Sequence, residues 1–246
     1  MHSTGSVLRF VFIMTSVVAL LLAFLQNGLK TRHEANEAIY SKKATLGAIS
    51  NHLDIDYGSI SDQQVEEIFK NNIKELVVNE DGNIIPPEKV AAMGYKGGLA
   101  SSLDMAKEHK KGDEKLLPVY IYTKADSKKY YILYARGKGL WDAIWGYLAL
   151  EDDFNTVAGV SFDHKAETPG LGAEIKDNKA WVKQFTGKKI YEDGELKSID
   201  VRKGGAKDPL YEVDGISGAT ITGDGVEDML EDYLEDYQPY LETIKG

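Results

Sequence analysis

Apolar residues run almost unbroken through residues 7–25, and only beyond them does the chain take on alternating patterns. A run of roughly 19 residues at ~1.5 Å per residue covers ~28 Å, close to the hydrocarbon thickness of a bilayer. Arg9, near one end, can snorkel to the interface. A cleaved signal peptide has a shorter apolar core and a small-x-small exit. Here the exit reads Leu25-Gln26-Asn27-Gly28-Leu29-Lys30, so residues 1–29 are expected to be a retained single-pass anchor. Residues 30–50 are rich in helix formers and predict a stalk helix. Ser61-Asp62-Gln63-Gln64 fits a capping box, and Val65, Ile68, Phe69, Ile73 and Leu76 follow at helical spacing, which predicts a second helix over 61–76. Pro86-Pro87 and the stretches around Gly97 and Gly112 read as loops. Residues 30–115 are thus expected to form a stalk and a helical part, ahead of a separate domain over 116–246.

The period changes from residue 117. Residues 119–123 and 130–134 flank the polar turn Asp126-Ser127-Lys128, and 144–150 and 157–162 flank Asp152-Asp153-Phe154-Asn155. Residues 189–191 and 196–201 bracket Asp193-Gly194, which gives a third expected hairpin. A helix over 224–240 closes the chain. Val226, Met229, Leu230, Tyr233, Leu234 and Tyr237 form its apolar stripe, and Glu227, Asp228, Glu231, Asp232, Glu235 and Asp236 its acidic face. That face fits a solvated surface, or a docking surface for a partner. The fold class that follows is α+β, an antiparallel sheet with helices packed on it behind an N-terminal transmembrane helix.

Composition removes several functions. The net charge of −10 argues against nucleic acid as a partner, because phosphate backbones call for a basic surface. The chain has no cysteine, which rules out disulfides, thiolate nucleophiles and iron–sulfur ligation. Its five histidines form no pair at metal-ligand spacing on a helix, so no metal site is expected. No nucleophile–base arrangement stands out either, and no catalytic residue is assigned.

Three glycine-bearing segments fall outside the helix and strand patterns. Asp214-Gly215-Ile216-Ser217-Gly218-Ala219-Thr220-Ile221-Thr222-Gly223-Asp224 precedes the acidic helix. Small residues there admit close approach of a ligand, a helix start offers unpaired N–H groups to an anion, and Ser217, Thr220 and Thr222 add hydroxyls. The same residues also fit an ordinary helix cap with a glycine turn, the commoner arrangement. Glu167-Thr168-Pro169-Gly170-Leu171-Gly172 reads as a tight loop. Arg136-Gly137-Lys138-Gly139-Leu140-Trp141 lacks the rest of a P-loop. Leu140 and Trp141 would wall a planar ring, or Trp141 packs in the core.

Taken together and in this order behind the anchor, the three segments resemble the FMN-binding domain family, and within it the C subunits of sodium-translocating NADH:quinone reductases. The related G subunits of Rnf electron-transport complexes share the anchor and the threonine motif, whereas the Gly139-Leu140-Trp141 run favours the C subunits. A membrane-tethered binding module of the same fold that never carries flavin is the alternative of a different class. The resemblance implies that a dedicated flavin transferase attaches FMN through its phosphate to Thr220, with Ser217, Gly218 and Ala219 shaping the turn. It implies that Leu140, Trp141 and Leu171 flank the isoalloxazine ring, with Glu167, Thr168 and Lys203 as polar contacts. A lysine near the flavin N1–C2 region would stabilise a reduced anion, although Lys203 also fits a surface lysine at a hairpin end. Electron relay within a multi-subunit, sodium-transporting, ubiquinone-reducing enzyme of the bacterial inner membrane follows, with the other subunits as partners and lipid contacted through residues 7–25. Counting positive charges sets Arg9 against Lys30, Arg32, Lys42 and Lys43 and favours a cytoplasmic domain. The resemblance implies a periplasmic one, because the transferase acts there.

Overall fold

A computed structural model of the chain describes residues 4–245. The chain divides into two compact units after Tyr40. The span and the stalk are not separate elements: a single helix, α1, covers Thr4–Gly47. It includes an 18-residue window of mean hydropathy 2.5, none of it buried, and is long and apolar enough to cross a membrane.

The second unit begins with the last turns of α1. There Leu46 is fully buried, Ser41 Oγ lies 2.8 Å from Tyr147 Oη, and the Ala44 carbonyl accepts a hydrogen bond from Ser161 Oγ at 2.6 Å. Helix α2 spans Asp62–Asn72 and starts as its sequence predicts. The Ser61 hydroxyl accepts from Gln64 N, and the Gln64 side chain accepts from Ser61 N. A cap of this kind is worth about 1 kcal/mol.

The helix expected to run to residue 76 stops at Asn72, however. Ile73–Val78 is strand β1, paired along its length with the antiparallel strand β3, Leu117–Thr123. Ile73, Val77 and Val78 are buried there, and this β-branched run packs better on a pleated surface than on a helix. The sheet therefore runs across the boundary expected at residue 115. Between these strands lie β2 (Ile84–Ile85), α3 (Pro87–Ala92) and α4 (Met105–Glu108), with 3-10 turns around Gly97 and Gly112, so the expected loops are largely short helical turns.

The main sheet continues through β4 (Lys129–Lys138), β5 (Ala143–Leu150) and β6 (Val157–His164), all antiparallel, in the order β2-β1-β3-β4-β5-β6. The first two expected hairpins are present. Short helices α5 (Glu174–Asp177) and α6 (Lys179–Lys183) follow. The third hairpin is only partly as expected. Strands β7 (Tyr191–Glu192) and β8 (Glu195–Leu196) turn at Asp193 and Gly194, whose φ values of 51° and 90° suit a two-residue hairpin turn. Beyond Ser198, also at positive φ, the chain leaves the hairpin. Strand β9 (Asp200–Arg202) pairs in parallel with β10 (Glu212–Asp214).

Helix α7, Thr220–Lys245, starts four residues earlier than the pattern predicts and makes Thr220 its first residue. Its expected apolar stripe is buried from Val226 to Tyr237 and extends to Tyr240 and Leu241. Each such side chain contributes about 1.5–3 kcal/mol on burial. Tyr237 joins α7 to the sheet: its hydroxyl donates to the Pro118 carbonyl at 2.7 Å and accepts from Tyr134 N at 3.3 Å. Part of the acidic face is engaged within the fold, since Glu227 accepts from Val201 N at 2.7 Å and Asp236 pairs with Lys115 at 2.5 Å.

Candidate functional site

The three glycine-bearing segments, far apart in the chain, meet at the N-terminus of α7. The motif turn leaves β10 at Asp214. Its side chain accepts from Ala206 N at 2.8 Å, and its carbonyl accepts from the Trp181 indole at 2.5 Å. These bonds fix the start of the turn and hold the Lys203-Gly204-Gly205 loop beside it. Glu227 of α7 anchors the same region through Val201 N. Gly218 sits at φ 78°, a conformation that favours glycine, and a Cβ there would lie 2.7 Å from Leu171 Cδ2. Ala219 is buried and its carbonyl accepts the N–H of Gly223, so the helix is wound from Thr220 onward.

Thr220 and Ser217 are exposed on a cleft of about 460 Å³. Lys203, Gly204, Gly205, Gly215 and Gly218 line it with them. The first N–H groups of any helix lack an intrahelical acceptor, and here they start at Thr220 with a lysine on the same cleft. Small residues, free donors and one cation suit a phosphate there, although the carboxylates of Asp224 and of Asp214, the latter already bonded to Ala206 N, line the same cleft.

Trp141, in the loop between β4 and β5, is 66% exposed, so it is not a core residue. Its indole N–H donates to Thr168 Oγ1 at 3.1 Å and its backbone N–H to Glu167 Oε1 at 2.9 Å. Leu140 and Leu171 are exposed as well. Ile221, which the sequence did not mark out, adds a further exposed apolar side chain beside Thr220.

Glu167 is 4% exposed, and its second oxygen accepts from Thr222 Oγ1 at 2.7 Å. Burial raises its pKa, but the bonds from Thr222 and from the N–H groups of Trp141, Asp142 and Leu140 outweigh burial and hold the carboxyl below its ordinary value. Both oxygens are thus occupied by the protein itself. Thr222, buried beside it, is a structural partner that the sequence offers only as one hydroxyl among three. The role of Asp214 as a clamp carries a faint signal, the Gly204-Gly205 pair that it holds.

Residues 139–235 match the FMN-binding domain family. That stretch contains the exposed Trp141 loop, the Glu167–Gly172 segment, Lys203 and Thr220. The chain is 30% identical to the C subunit of the Na(+)-translocating NADH-quinone reductase of Vibrio alginolyticus over 250 residues, 93% of this chain and 90% of the relative. It is 29% identical to the corresponding C subunit of Vibrio anguillarum over 249 residues, 96% of this chain and 93% of that protein. Its fold is similar to the crystal structure of the same reductase's C subunit from Parabacteroides distasonis, with a TM-score of 0.72 and 33% identity over 87% of this chain and 96% of that one. It is also similar to Shewanella oneidensis NqrC, with a TM-score of 0.68 and 27% identity over 86% and 99% of the two chains. By sequence over nearly its full length and by fold, this chain belongs to the family of C subunits of the Na(+)-translocating NADH-quinone reductase, oxidoreductase subunits with an FMN-binding domain.

Proposed function

We propose that the chain carries FMN covalently, as a phosphoester on Thr220, and relays electrons with it inside a membrane-bound sodium-translocating NADH:quinone reductase. The observation that carries this reading is the setting of Thr220: an exposed hydroxyl on the first residue of α7, at a cleft of about 460 Å³ shared with Lys203. The residues present fit the group. Gly218 keeps the turn open against Leu171, and Lys203 lies with the attachment residues, which supports a contact to phosphate as well as the ring contact implied by the resemblance. Leu140, Trp141 and Leu171 are exposed apolar surface suited to one face of a flat ring, with Thr168 holding the indole. FMN supplies the redox chemistry, and the protein supplies attachment, orientation and electrostatics.

Mass analysis tests the attachment. Full-length chain matured beside a flavin transferase should gain one FMN less one water, on the peptide containing Thr220. A chain of unchanged mass under those conditions, or flavin on another peptide, overturns the reading.

Helix α1 is the anchor in this proposal, and the domain lies on the outer side of the bacterial inner membrane. The other reductase subunits are its partners, and the transferase meets it during maturation. The cysteine-free sequence makes one introduced thiol a unique reporter of side. Glu195→Cys, at an exposed hairpin end, should react with a membrane-impermeant maleimide in cells whose outer membrane alone is permeabilised. Labelling only after the inner membrane is lysed would assign the domain to the cytoplasm.

A further inference from the structure

Three carboxylates are buried among the described residues, and they are held in different ways. Glu108 lies 2.7 Å from the Lys111 ammonium and Asp163 lies 2.8 Å from that of Lys176. Glu167 is held by neutral donors instead: Trp141 N at 2.9 Å on one oxygen and Thr222 Oγ1 at 2.7 Å on the other. A buried charge is costly unless its hydrogen bonds are complete, and an arrangement that keeps one on neutral donors fixes their positions relative to each other.

The donors lie on the two segments whose separation matters at the site. Trp141 is in the β4–β5 loop, and Thr222 is two residues after Thr220 in the first turn of α7. The backbone closes over the carboxylate from both sides, since a Cβ at Gly139 would lie 2.6 Å from Oε1 and one at Gly172 would lie 2.3 Å from Oε2. The neighbouring residue completes the hold, with Thr168 accepting the indole N–H. Trp141 is thereby secured at its backbone and at its ring nitrogen while most of its surface faces solvent.

We propose that Glu167 is a positioning residue: its carboxylate, bound to both segments at once, fixes the exposed Trp141 ring relative to the Thr220 hydroxyl. The resemblance implies a polar contact to the cofactor; in this proposal the carboxylate acts instead through the protein donors on its two oxygens. Its significance for a flavin rests on the function proposed above, since a ring held in place in advance loses little freedom when a flat group lies against it. The hold itself belongs to the protein and can be read without flavin.

The test uses the full chain in detergent, free of flavin and labelled with 15N only at tryptophan. Its three indole and three backbone signals are assigned with Trp141→Phe, which removes one pair. In the unsubstituted protein the Trp141 amide signal should shift as acid protonates Glu167. The carboxyl is held below its ordinary value, so the hold is present at neutral pH and is lost as pH falls through that lowered value. Asp142, paired with Lys165 at 2.9 Å, and His164, whose Nδ1 accepts the Glu167 N–H at 3.1 Å, are titratable neighbours. Both persist in Glu167→Gln, so the step lost in that variant belongs to Glu167.

Glu167→Gln should also speed solvent exchange of the Trp141 backbone N–H, the group that donates to Glu167, about tenfold, the scale of one net hydrogen bond. The Trp181 indole, bonded to the Asp214 carbonyl, should be unchanged and so report an intact fold. Thr222→Val, which cuts only the bond to α7, should move the Trp141 amide signal through the shared carboxylate. An acid step that survives in Glu167→Gln, or a Trp141 amide unmoved by Thr222→Val, overturns the proposal. Either failure leaves the FMN reading to its own mass analysis.

Discussion

Thr220→Ala chain, matured beside a flavin transferase, is expected to fold normally and to carry no covalent flavin. The residue is exposed and opens α7, where alanine is at least as favourable as threonine for the helix, so stability should change by no more than about 0.5 kcal/mol. The loss of flavin should be complete, because a methyl offers no oxygen for a phosphoester. Ser217→Ala is the matched control. It removes the other exposed hydroxyl on the cleft and keeps Thr220, so its mass should still rise by one FMN less one water. In-gel flavin fluorescence after denaturation and peptide mass analysis read both variants. Flavin that persists in Thr220→Ala would move the attachment to another residue.

Gly225→Ala is expected to destabilise the domain by about 3 kcal/mol, against the usual sign of that exchange in a helix. Alanine normally stabilises a helix interior by about 1 kcal/mol over glycine. At position 225, however, a Cβ would lie 2.3 Å from the Lys138 carbonyl oxygen, a backbone atom at the end of β4. Relief requires α7 and β4 to separate, and overpacking of this kind costs about 1–3 kcal/mol or more. Gly137 faces Met229 one helical turn further along, where a Cβ would lie 2.8 Å from the methionine Cβ, so the strand and helix are in close contact over this whole crossing. Because Thr220 begins the same helix, Gly225→Ala should also lower the yield of flavinylation. A urea denaturation midpoint at or above that of the unsubstituted protein would rule out the close crossing.

The parts of this architecture that can be read from the sequence are those whose partners are near in the chain. Ser61 and Gln64 cap each other across three residues, the strands on either side of Asp126-Ser127-Lys128 pair with each other, and the α7 stripe repeats on its own helix. Residues 73–78 defeat such reading, because Ile73 and Leu76 satisfy a helical period as well as a strand. Their conformation is decided by Val119 and its neighbours in β3, a strand distant in the sequence. The departure of β9 from its hairpin has the same origin, as its partner β10 lies beyond an intervening loop.

At the site, Thr220 and Trp141 announce themselves through composition and motif. Whether Trp141 lay in the core or at the surface depended on tertiary structure, and its exposure decides the matter. The role of Glu167 could not be read at all. It arises only when Gly139, Gly172 and Thr222, drawn from three segments, close around one carboxylate.

The place of Thr220 on α7 also bears on motion. Eleven residues of that helix are buried, and Tyr237 ties it to two strands of the sheet. Amides in such an element exchange with solvent through openings close to global unfolding, whereas loops and termini open at much lower cost. The attachment proposed at Thr220 would therefore join the flavin to the exposed first turn of a helix whose interior is held firmly to the sheet. Under the proposed function, a larger swing towards a redox partner would come from rotation about the ribityl and phosphate bonds of the FMN, on the nanosecond scale of side chains, or from movement of the domain as a whole.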